Sequence, residues 1–535
     1  MRLLPDSRRG ALARFAIAGM IVIAFTATTT AVAGLLQFKQ LAADIGGTPA
    51  ISGAQVSIPP PGNPQTILVI GSDHRAADPL TTFNTDTMLL VRLDASSSTI
   101  NVLSVPRDLK VQISQRGASY TGRLNSAYSV GGPGLLVRVL RQQVFPGLKV
   151  NHIVDVNFAG FQQLVDAIGC VYTDVDHRYY NLSAPGPNNY SSIDIQPGYQ
   201  KLCGTDPIRG ALPFVRFRHT DSDLVRNARQ QDFIRWAKDQ YGVSNLIANR
   251  DKLLKIFGAH THTDPDLRSV DGLINLFDLV VSSAGHTLRQ VKFPAILPPP
   301  SFAPTVAGRF TPQSPSYVTA DPGAEQQAFD SFMTPSAAPA ARAAPAGTGP
   351  AGSGPAGSGP ASAAPATRPA LPRGVPDLTA DAGDGRSQAT SLGQIGMAVY
   401  FPRRIAGASS YCSGLIGNCP VEVPSRDSYP RAYTIHDQNG NPHSAYRLTL
   451  RLDPALGQYY GVQGTTWRSP PILATPNQTR TVGGKKLALY LNGHHLTLVA
   501  WRTPQGVYWI SNTLTDDLNN KQMLGIAASL TRAGP

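Results

Sequence analysis

The sequence is poor in charged residues, aromatic residues and cysteine. Charged residues make up 15% and aromatic residues 7% of the 535 residues, and the chain has 4 cysteines. Neither the cysteines nor the histidines have the spacing of zinc ligands, which argues against a structural zinc site. Acidic residues number 34 against 47 Lys and Arg, so the formal net charge is +13. Such a charge attracts polyanions of any kind and does not choose among nucleic acid, anionic lipid and phosphorylated glycan.

The few cysteines fall into two local pairs, Cys170/Cys203 and Cys412/Cys419. An even number of cysteines is consistent with disulfide bonds if the protein resides in an oxidising compartment. Four reduced, buried thiols are the alternative. The choice between these readings depends on where the chain resides.

The N-terminus carries a charge-free run over Phe15–Leu36, long enough to cross a bilayer core of about 30 Å. The arginines that precede this run are Arg2, Arg8, Arg9 and Arg14. Their excess on one side predicts a single-pass anchor in the cell membrane with a cytoplasmic N-terminus and the bulk of the chain extracytoplasmic. The alternative is a signal peptide removed after Ala31-Val32-Ala33. Both alternatives export the protein.

Strand and helix patterns alternate after the N-terminal region. The predicted strands are Thr66–Gly71, Thr87–Leu93, Ile100–Val105, Asn151–Val156, Ala211–Arg218 and Leu288–Ile296. The predicted helices are Pro133–Val144, Phe158–Ile168, 224–241, Leu246–Ile256 and Val270–Val281. This alternation predicts an α/β fold in α-β-α layers.

The composition divides the chain into six segments. A stretch rich in Pro, Ala, Gly and Ser, Thr334–Val375, has no aromatic residue and predicts a flexible tether. After it, a hairpin over Leu487–Trp501, a strand at Val507–Ser511 and a helix at Leu518–Leu530 predict a small α+β domain without a catalytic constellation. The predicted segments are a cytoplasmic tail 1–14, a transmembrane anchor 15–36, a spacer 37–64, a catalytic domain 65–300, a linker 301–385 and a C-terminal domain 386–535.

Arginine and aspartate recur where the predicted strands of the first domain begin or end. These residues are Asp73, Arg75, Asp86, Arg107, Asp108, Arg216, Arg218, Asp223, Arg226 and Arg229, with Gln230. On a strand, Arg216 and Arg218 would point to the same face. The residues from 223 to 230 are spaced by three and four, so they would share one side of a helix.

This set of residue types suits a pyrophosphate. Guanidinium groups bind phosphate oxygens through paired hydrogen bonds. Carboxylates suit Mg²⁺, which takes few protein oxygens and completes its shell with phosphate and water. Surface salt bridges are the alternative, and they are common in basic proteins. The recurrence of Arg and Asp at several strand ends favours a ligand-binding site, because α/β sheets bind ligands at the ends of their strands.

Together these segments resemble the LytR-CpsA-Psr family in order and spacing. The segments are GSDHR (71–75), NTDTMLLVRLD (84–94), VLSVPRD (102–108), RLNSAYSVGGP (123–133), VDVNFAGFQQLVDAIG (154–169), RFRHTDSDLVR (216–226) and ARQQ (228–231). The resemblance implies a membrane-anchored phosphotransferase with an α-β-α fold. Such enzymes move glycopolymers from a polyprenyl-pyrophosphate carrier onto peptidoglycan.

The resemblance also assigns roles to residues. It implies Asp73 and Asp86 as Mg²⁺ ligands. It implies a substrate-binding set of Arg75, Arg107, Arg123, Arg216, Arg218, Arg226, Arg229 and Gln230, and a catalytic set of Arg107, Asp108, Arg218, Asp223 and Arg226. Asn84 stands where the family often has an arginine, which leaves open a less active member. A disulfide between Cys170 and Cys203 would restrain a loop near the site.

The sequence therefore predicts transfer of a polyprenyl-pyrophosphate-linked glycan to peptidoglycan, with membrane lipid as a further partner and no nucleic acid. A non-catalytic protein that binds or scaffolds cell-wall polymer is the alternative, suggested by Asn84 and the separate C-terminal domain. A transcriptional attenuator is disfavoured, because the bulk of the chain is expected outside the cell and no DNA-binding helix motif is recognisable.

Overall fold

The computed structural model describes only part of the chain. The described residues are 39, 42–43, 50–51, 53–72, 85–115, 117–182, 192–217, 221–297, 317–334, 377–413, 419 and 428–533. Within these ranges no helix combines the length and the apolar character that a membrane crossing needs. The anchor predicted at 15–36 lies outside them.

The first domain is a mixed α/β structure. Its strands are β1 (Gln65–Ser72), β2 (Thr85–Leu93), β3 (Thr99–Ser104), β4 (Lys110–Gln115), β5 (Ala118–Arg123), β6 (His152–Asn157), β7 (Val171–Val175), β8 (Tyr179–Asn181), β9 (Ile193–Ile195), β10 (Gly198–Leu202), β11 (Thr261–Thr263), β12 (Thr287–Val291), β13 (Ala295–Ile296) and β14 (Thr319–Ala320). Its helices are α1 (Leu124–Val139), α2 (Phe158–Ala167), α3 (Ala211–Arg216), α4 (Asp223–Gln240), α5 (Val243–Ala248), α6 (Arg250–His260), α7 (Val270–Ser283) and α8 (Pro322–Met333).

A six-stranded sheet in the order β11-β6-β1-β2-β3-β12 forms the centre of the first domain. Its strands β1 and β6 run parallel, as do β3 and β12, whereas β2 is antiparallel to both of its neighbours. Side chains alternate between the two faces of a strand. Leu68 of β1 therefore packs with α1 and α8 on one face, while Ile67 packs with α7 on the other. Helices thus cover both faces of the sheet.

Two predictions of local structure are wrong. The segment predicted as the strand Ala211–Arg218 begins as the helix α3. Pro213 lies in its first turn, where the missing N–H costs no intrahelical bond, and Leu212, Phe214 and Val215 are buried. The helix predicted over Leu246–Ile256 is two helices, α5 and α6, separated at Asn249.

A helix of the first domain lies inside the predicted linker. Residues 317–334 form β14, which pairs with β13, and then α8. Phe329 of α8 stacks on Phe145 at 5.3 Å between ring centroids, and Phe332 is fully buried. Asp321 caps the N-terminus of this helix, and Pro322 is its first residue, a position where proline is favoured. The linker therefore contains an element that completes the first core.

The second domain is built on a large antiparallel sheet. Its strands are β15 (Leu378–Ala380), β16 (Tyr400–Pro402), β17 (Arg404–Ala406), β18 (Ser410–Tyr411), β19 (Arg431–His436), β20 (Pro442–Asp453), β21 (Gln458–Thr465), β22 (Gln478–Val482), β23 (Lys485–Asn492), β24 (His495–Arg502), β25 (Val507–Ser511) and β26 (Leu530–Arg532), and its helices are α9 (Ala382–Ser391) and α10 (Asn520–Ser529). The predicted hairpin is β23–β24 within an eight-stranded sheet. The helix α10 packs on one face of this sheet.

The other face of this sheet packs against the first domain. Trp509 of β25 lies in one apolar cluster with Tyr172 and Tyr199 of the first domain. At its centre the carboxylate of Asp174 accepts hydrogen bonds from Arg447 and from Gln463, each at 2.7 Å. Removing one partner of this buried ion pair would leave the other charge buried without compensation, which is costly.

Candidate functional site

The central sheet brings the first group of predicted site residues to one edge. Asp86 lies at the start of β2, and Arg107 with Asp108 follows the end of β3. The strands β2 and β3 are antiparallel neighbours, so the start of one lies beside the end of the other. Arg123 ends β5 and directly precedes α1. The ends of β2, β3 and β5 thus place these four side chains together.

Asp86 lies between two guanidinium groups. Arg107 donates a hydrogen bond from Nη1 to Oδ1 of Asp86. Arg216, the last residue of α3, has its Nη2 3.6 Å from Oδ2 of the same carboxylate. The guanidinium of Arg216 also lies 4.1 Å from the ring centroid of Phe158. The carboxylate and the ring together fix the direction of Arg216.

Asp223 and Asp108 form the buried side of the site. Nη2 of Arg226 is 2.9 Å from Oδ1 of Asp223, and Nε of Arg107 is 3.8 Å from the same oxygen. Nε of Arg123 is 3.5 Å from Oδ1 of Asp108. Arg226 is only 1% exposed. Burial of this kind requires charged partners, and the carboxylates supply them.

Burial also shifts the protonation of this side of the site. The pKa of Asp108 is raised by burial and by the nearby negative charge of Asp223, and the surrounding arginines offset only part of this. The pKa of Arg226 is lowered by burial, which the charge of Asp223 counteracts. Asp108 therefore holds its proton more readily than an exposed aspartate does.

We call these seven residues the Arg–Asp cluster: Asp86, Asp108, Asp223, Arg107, Arg123, Arg216 and Arg226. Its four guanidinium groups and three carboxylates leave an excess of one positive charge. Arg107 and Arg216 are each about a fifth exposed, so the side of the cluster around Asp86 is reachable from outside. A cluster with this charge and this exposure can bind a phosphate anion.

Two predicted substrate ligands turn away from the cluster. Arg229 is fully buried and donates hydrogen bonds to the carbonyl oxygens of Phe214 at 2.9 Å and Phe217 at 3.0 Å. It also pairs with Asp221. Gln230 donates to the carbonyl oxygen of Val215 at 3.0 Å. Both side chains therefore hold the C-terminal end of α3, next to Arg216.

Three predicted site residues, Asp73, Arg75 and Arg218, lie outside the described residues, as does Asn84. One neighbour of Asp73 is described. Ser72 ends β1 and donates a hydrogen bond to Asp155 at 2.7 Å, and Tyr128 of α1 donates to the other oxygen of that carboxylate. Asp155 is not among the residues predicted for the site, although a carboxylate inside the apolar strand β6 is a usable signal.

The donor set is compatible with Mg²⁺. Mg²⁺ is usually held by one or two carboxylates, with phosphate oxygens and water completing an octahedron. Asp86 offers such a carboxylate beside the arginines that would bind phosphate. The group formed by Asp166 with Cys170 and Cys203 is unsuitable, because the two sulfur atoms are bonded to each other at 2.06 Å.

Both cysteine pairs predicted from the sequence are joined. Cys170 with Cys203 and Cys412 with Cys419 form disulfide bonds, and among the residues that the structure covers no cysteine is free. The first bond connects the end of α2 to the loop before α3. The sequence predicts this bond in a loop near the site, and its pairing is confirmed.

The fold is a layered α/β domain with a partly exposed cluster of arginines and aspartates at one edge of its sheet, and residues 36–296 match the LytR_cpsA_psr family model. The chain belongs to this family. A polyisoprenyl-teichoic acid–peptidoglycan teichoic acid transferase TagU from Oceanobacillus iheyensis is 30% identical over 241 residues, which cover 42% of this chain and 69% of the relative. The TagU of Halalkalibacterium halodurans is 28% identical over 220 residues, which cover 40% of this chain and 64% of the relative, less than two thirds of its length.

A solved structure is also similar. A crystal structure of a protein from Streptococcus agalactiae matches 51% of this chain and 88% of its own length, with 20% sequence identity and a TM-score of 0.41. The family matches end before the second domain. The large sheet of residues 377–533 thus lies beyond the part of the chain that the family model describes.

Proposed function

We propose that this protein transfers a glycopolymer from a polyprenyl-pyrophosphate carrier to peptidoglycan and so forms a phosphodiester link in the cell wall. The observation that carries the proposal is the Arg–Asp cluster, a partly exposed set of guanidinium groups at the edge of the central sheet. Its described residues lie in the segment that matches the family. Relatives named as teichoic acid transferases support the same reaction type.

The proposed reaction is a single phosphoryl transfer. A sugar hydroxyl of peptidoglycan attacks the sugar-proximal phosphorus, the new P–O bond forms, and the bond to the bridging oxygen breaks. Polyprenyl phosphate leaves with the electron pair. Arg107 and Arg216 would bind the pyrophosphate oxygens, and Arg75 and Arg218 would bind the same group. These fixed cations stabilise the negative charge that develops on the leaving phosphate.

The hydroxyl proton needs an acceptor, and Asp108 is our first candidate. Its pKa is raised by burial and by Asp223, which brings it closer to the operating pH, where a general base works best. Asp223 is bound to Arg226 at 2.9 Å, and we assign to it the orientation of that arginine. The buried Arg229 and Gln230 would support the site by holding the end of α3.

Mg²⁺ is the proposed cofactor, with Asp86 and Asp73 as its protein ligands. When bound, Mg²⁺ would neutralise part of the pyrophosphate charge. Asp86, if it held the ion, would release Arg107 and Arg216 from its carboxylate. Both arginines would then become available for phosphate oxygens.

The proposed location is the outer face of the cell membrane. The charge-free run at 15–36 after four arginines supports a single-pass anchor with a cytoplasmic N-terminus. The two disulfides support an oxidising compartment for the rest of the chain. Membrane lipid is then a partner of the anchor, and the carrier lipid reaches the site from the same membrane.

The second candidate function is a non-catalytic scaffold that binds cell-wall polymer. It is favoured by one observation, Asn84 in place of the arginine that is frequent in the family. Loss of one guanidinium would weaken the hold on the pyrophosphate. In that case the carrier would still bind, because the arginines of the cluster remain, but it would not be cleaved.

The test is release of polyprenyl phosphate from a lipid-pyrophosphate glycan by the full chain in detergent, with and without Mg²⁺. We expect metal-dependent release that falls on the order of 10²-fold in Arg107→Ala and in Asp86→Asn. The matched control is Arg480→Ala, an exposed arginine of β22, which should keep full activity. Binding of the carrier without release by the unmodified chain would favour the scaffold, and Asn84→Arg would be the next variant.

A further inference from the structure

The second domain reaches the segment that carries Asp223 and Arg226. The turn between β20 and β21 contains Gly457, whose backbone φ of +70° is unusual for residues with a side chain. A methyl group at Gly457 would lie 2.9 Å from Cγ2 of Val225 and 3.6 Å from Oδ1 of Asp221. The turn is therefore in contact with the start of α4.

The next residues of the second domain contact a buried histidine of the first. The ring of Tyr459 in β21 stacks on His177 with 4.3 Å between centroids and 22° between planes. Nδ1 of His177 is 3.0 Å from Asp176, and Nε2 is 3.8 Å from Asp221. His177 is fully buried, so its position is determined by these neighbours. Tyr459 thus packs on a side chain that lies between the carboxylates of Asp176 and Asp221.

Asp221 connects His177 to the Arg–Asp cluster. It pairs with Arg229, which holds the carbonyl oxygens of Phe214 and Phe217. These carbonyls belong to the end of α3, where Arg216 contacts Asp86 at 3.6 Å. Two residues after Asp221, Asp223 begins α4 and contacts both Arg226 and Arg107. One buried network thus connects Tyr459 to both ends of the Arg–Asp cluster.

We propose that the second domain contributes to the transfer site, in which Gly457, Tyr459 and His177 are positioning residues that hold the end of α3 and residues 221–226 in place. This inference rests on the proposed function for its catalytic readout. The contacts are made by the second domain, which lies outside the family match. The domain would therefore set the geometry of the site without touching the substrate.

The first test compares two glycine variants of the full chain. Gly457→Ala introduces a methyl group against Val225, whereas Gly484→Ala meets nothing within 4 Å and has a similar φ of +78°. The two variants share the backbone strain, so their difference isolates the contact with α4. We expect kcat of Gly457→Ala to fall about ten- to hundredfold below that of Gly484→Ala, with KM little changed. Equal kcat values in two folded variants would overturn the proposal.

The second test needs no substrate. Amide hydrogen exchange of residues 221–230 should be faster in Tyr459→Ala than in the unmodified chain, and Tyr459→Phe, which keeps the stacked ring, should restore slow exchange. Gly484→Ala should leave these peptides unchanged. Unchanged exchange in Tyr459→Ala would refute the positioning role even if turnover is lost. If the unmodified chain shows no turnover but exchange follows this pattern, the proposed function fails and the positioning stands.

Discussion

At the scale of single residues, some buried charged groups have a close partner of opposite charge and others have only a distant one. Asp223 with Arg226 and Asp174 with Arg447 lie in close ion pairs. Asp516 is different. Its side chain is 7% exposed, and the ammonium group of Lys292, with which it pairs, is 3.8 Å away on a half-exposed side chain. A buried carboxylate with such weak compensation prefers its neutral form.

The first prediction concerns Asp516. Burial raises its pKa to about 7, above the value of about 4 expected in the unfolded chain. Between these two pH values the folded chain binds more protons than the unfolded chain, so stability falls as the pH rises from about 4 to 7 and is then constant. Asp516→Asn removes this loss, and asparagine tolerates the φ of +52° at this position. We expect a gain of up to about 4 kcal/mol at pH 8 and of about 1 kcal/mol at pH 5.

Urea unfolding of the full chain at the two pH values measures this difference. Asp278→Asn, which alters an exposed aspartate of α7, is the control and should give the same small effect at both. A gain that does not depend on pH would contradict the assignment to Asp516.

At the scale of elements, short helices and loops determine the site more than the central strands do. The strands fix where Asp86 and Arg107 emerge, but α3 decides where Arg216 lies, and its C-terminal end is held by Arg229 and Gln230. The helix α8 has a similar supporting role in the core. Asn101 of β3 donates hydrogen bonds to the carbonyl oxygens of Phe332 at 2.8 Å and Thr334 at 3.1 Å, which satisfies the end of that helix.

The second prediction concerns this helix. Phe332→Ala should destabilise the protein by about 3–5 kcal/mol, because it leaves a cavity in the first core. Gln327→Ala, on the exposed side of α8, should change stability by less than about 0.5 kcal/mol. Denaturant unfolding of the two variants measures both values. Equal effects would mean that residues 317–334 behave as a linker after all.

At the scale of the whole molecule, the contact between the domains is polar at its centre and aromatic around it. Arg447 donates to Asp174 and also to the carbonyl oxygen of Asp176 at 3.0 Å, and the indole of Trp509 lies 3.4 Å from Asp174. Tyr172 and Tyr199 pack around this centre. Separation would expose these rings and leave Asp174 without its cation. The two domains should therefore unfold together.

The third prediction tests whether the two domains unfold together. Arg447→Ala leaves the carboxylate of Asp174 buried without its ion pair, which should cost about 3–5 kcal/mol. Arg447→Lys should restore little, since a lysine cannot contact both oxygen acceptors in the same geometry. Calorimetry should show a single transition in the unmodified chain and two in Arg447→Ala. A single transition of unchanged midpoint in that variant would show that the contact contributes no stability. Arg480→Ala is the surface control here too.

The sequence by itself determined the family, the central strands and the identity of the residues that form the Arg–Asp cluster. These features are local, since the central strands show as short runs of β-branched residues and the site residues as short runs of Arg and Asp. The pairing of Cys170 with Cys203 was likewise within reach of the sequence. Only the tertiary structure decided that Ala211–Arg216 is a helix, because burial of its apolar residues outweighs their strand propensity.

Only the tertiary structure, too, separated Arg216, which faces Asp86, from Arg229, which is buried behind it. From the sequence alone, both arginines could lie on one surface. Arg229 turns inward because the backbone carbonyl groups at the end of α3 accept its hydrogen bonds. The same holds for Tyr459 and His177, which are far apart in the chain and meet only because the two domains pack against each other. Contacts between distant segments carry no periodic signal in a single sequence, so the part played by the second domain was visible only once the chain was folded.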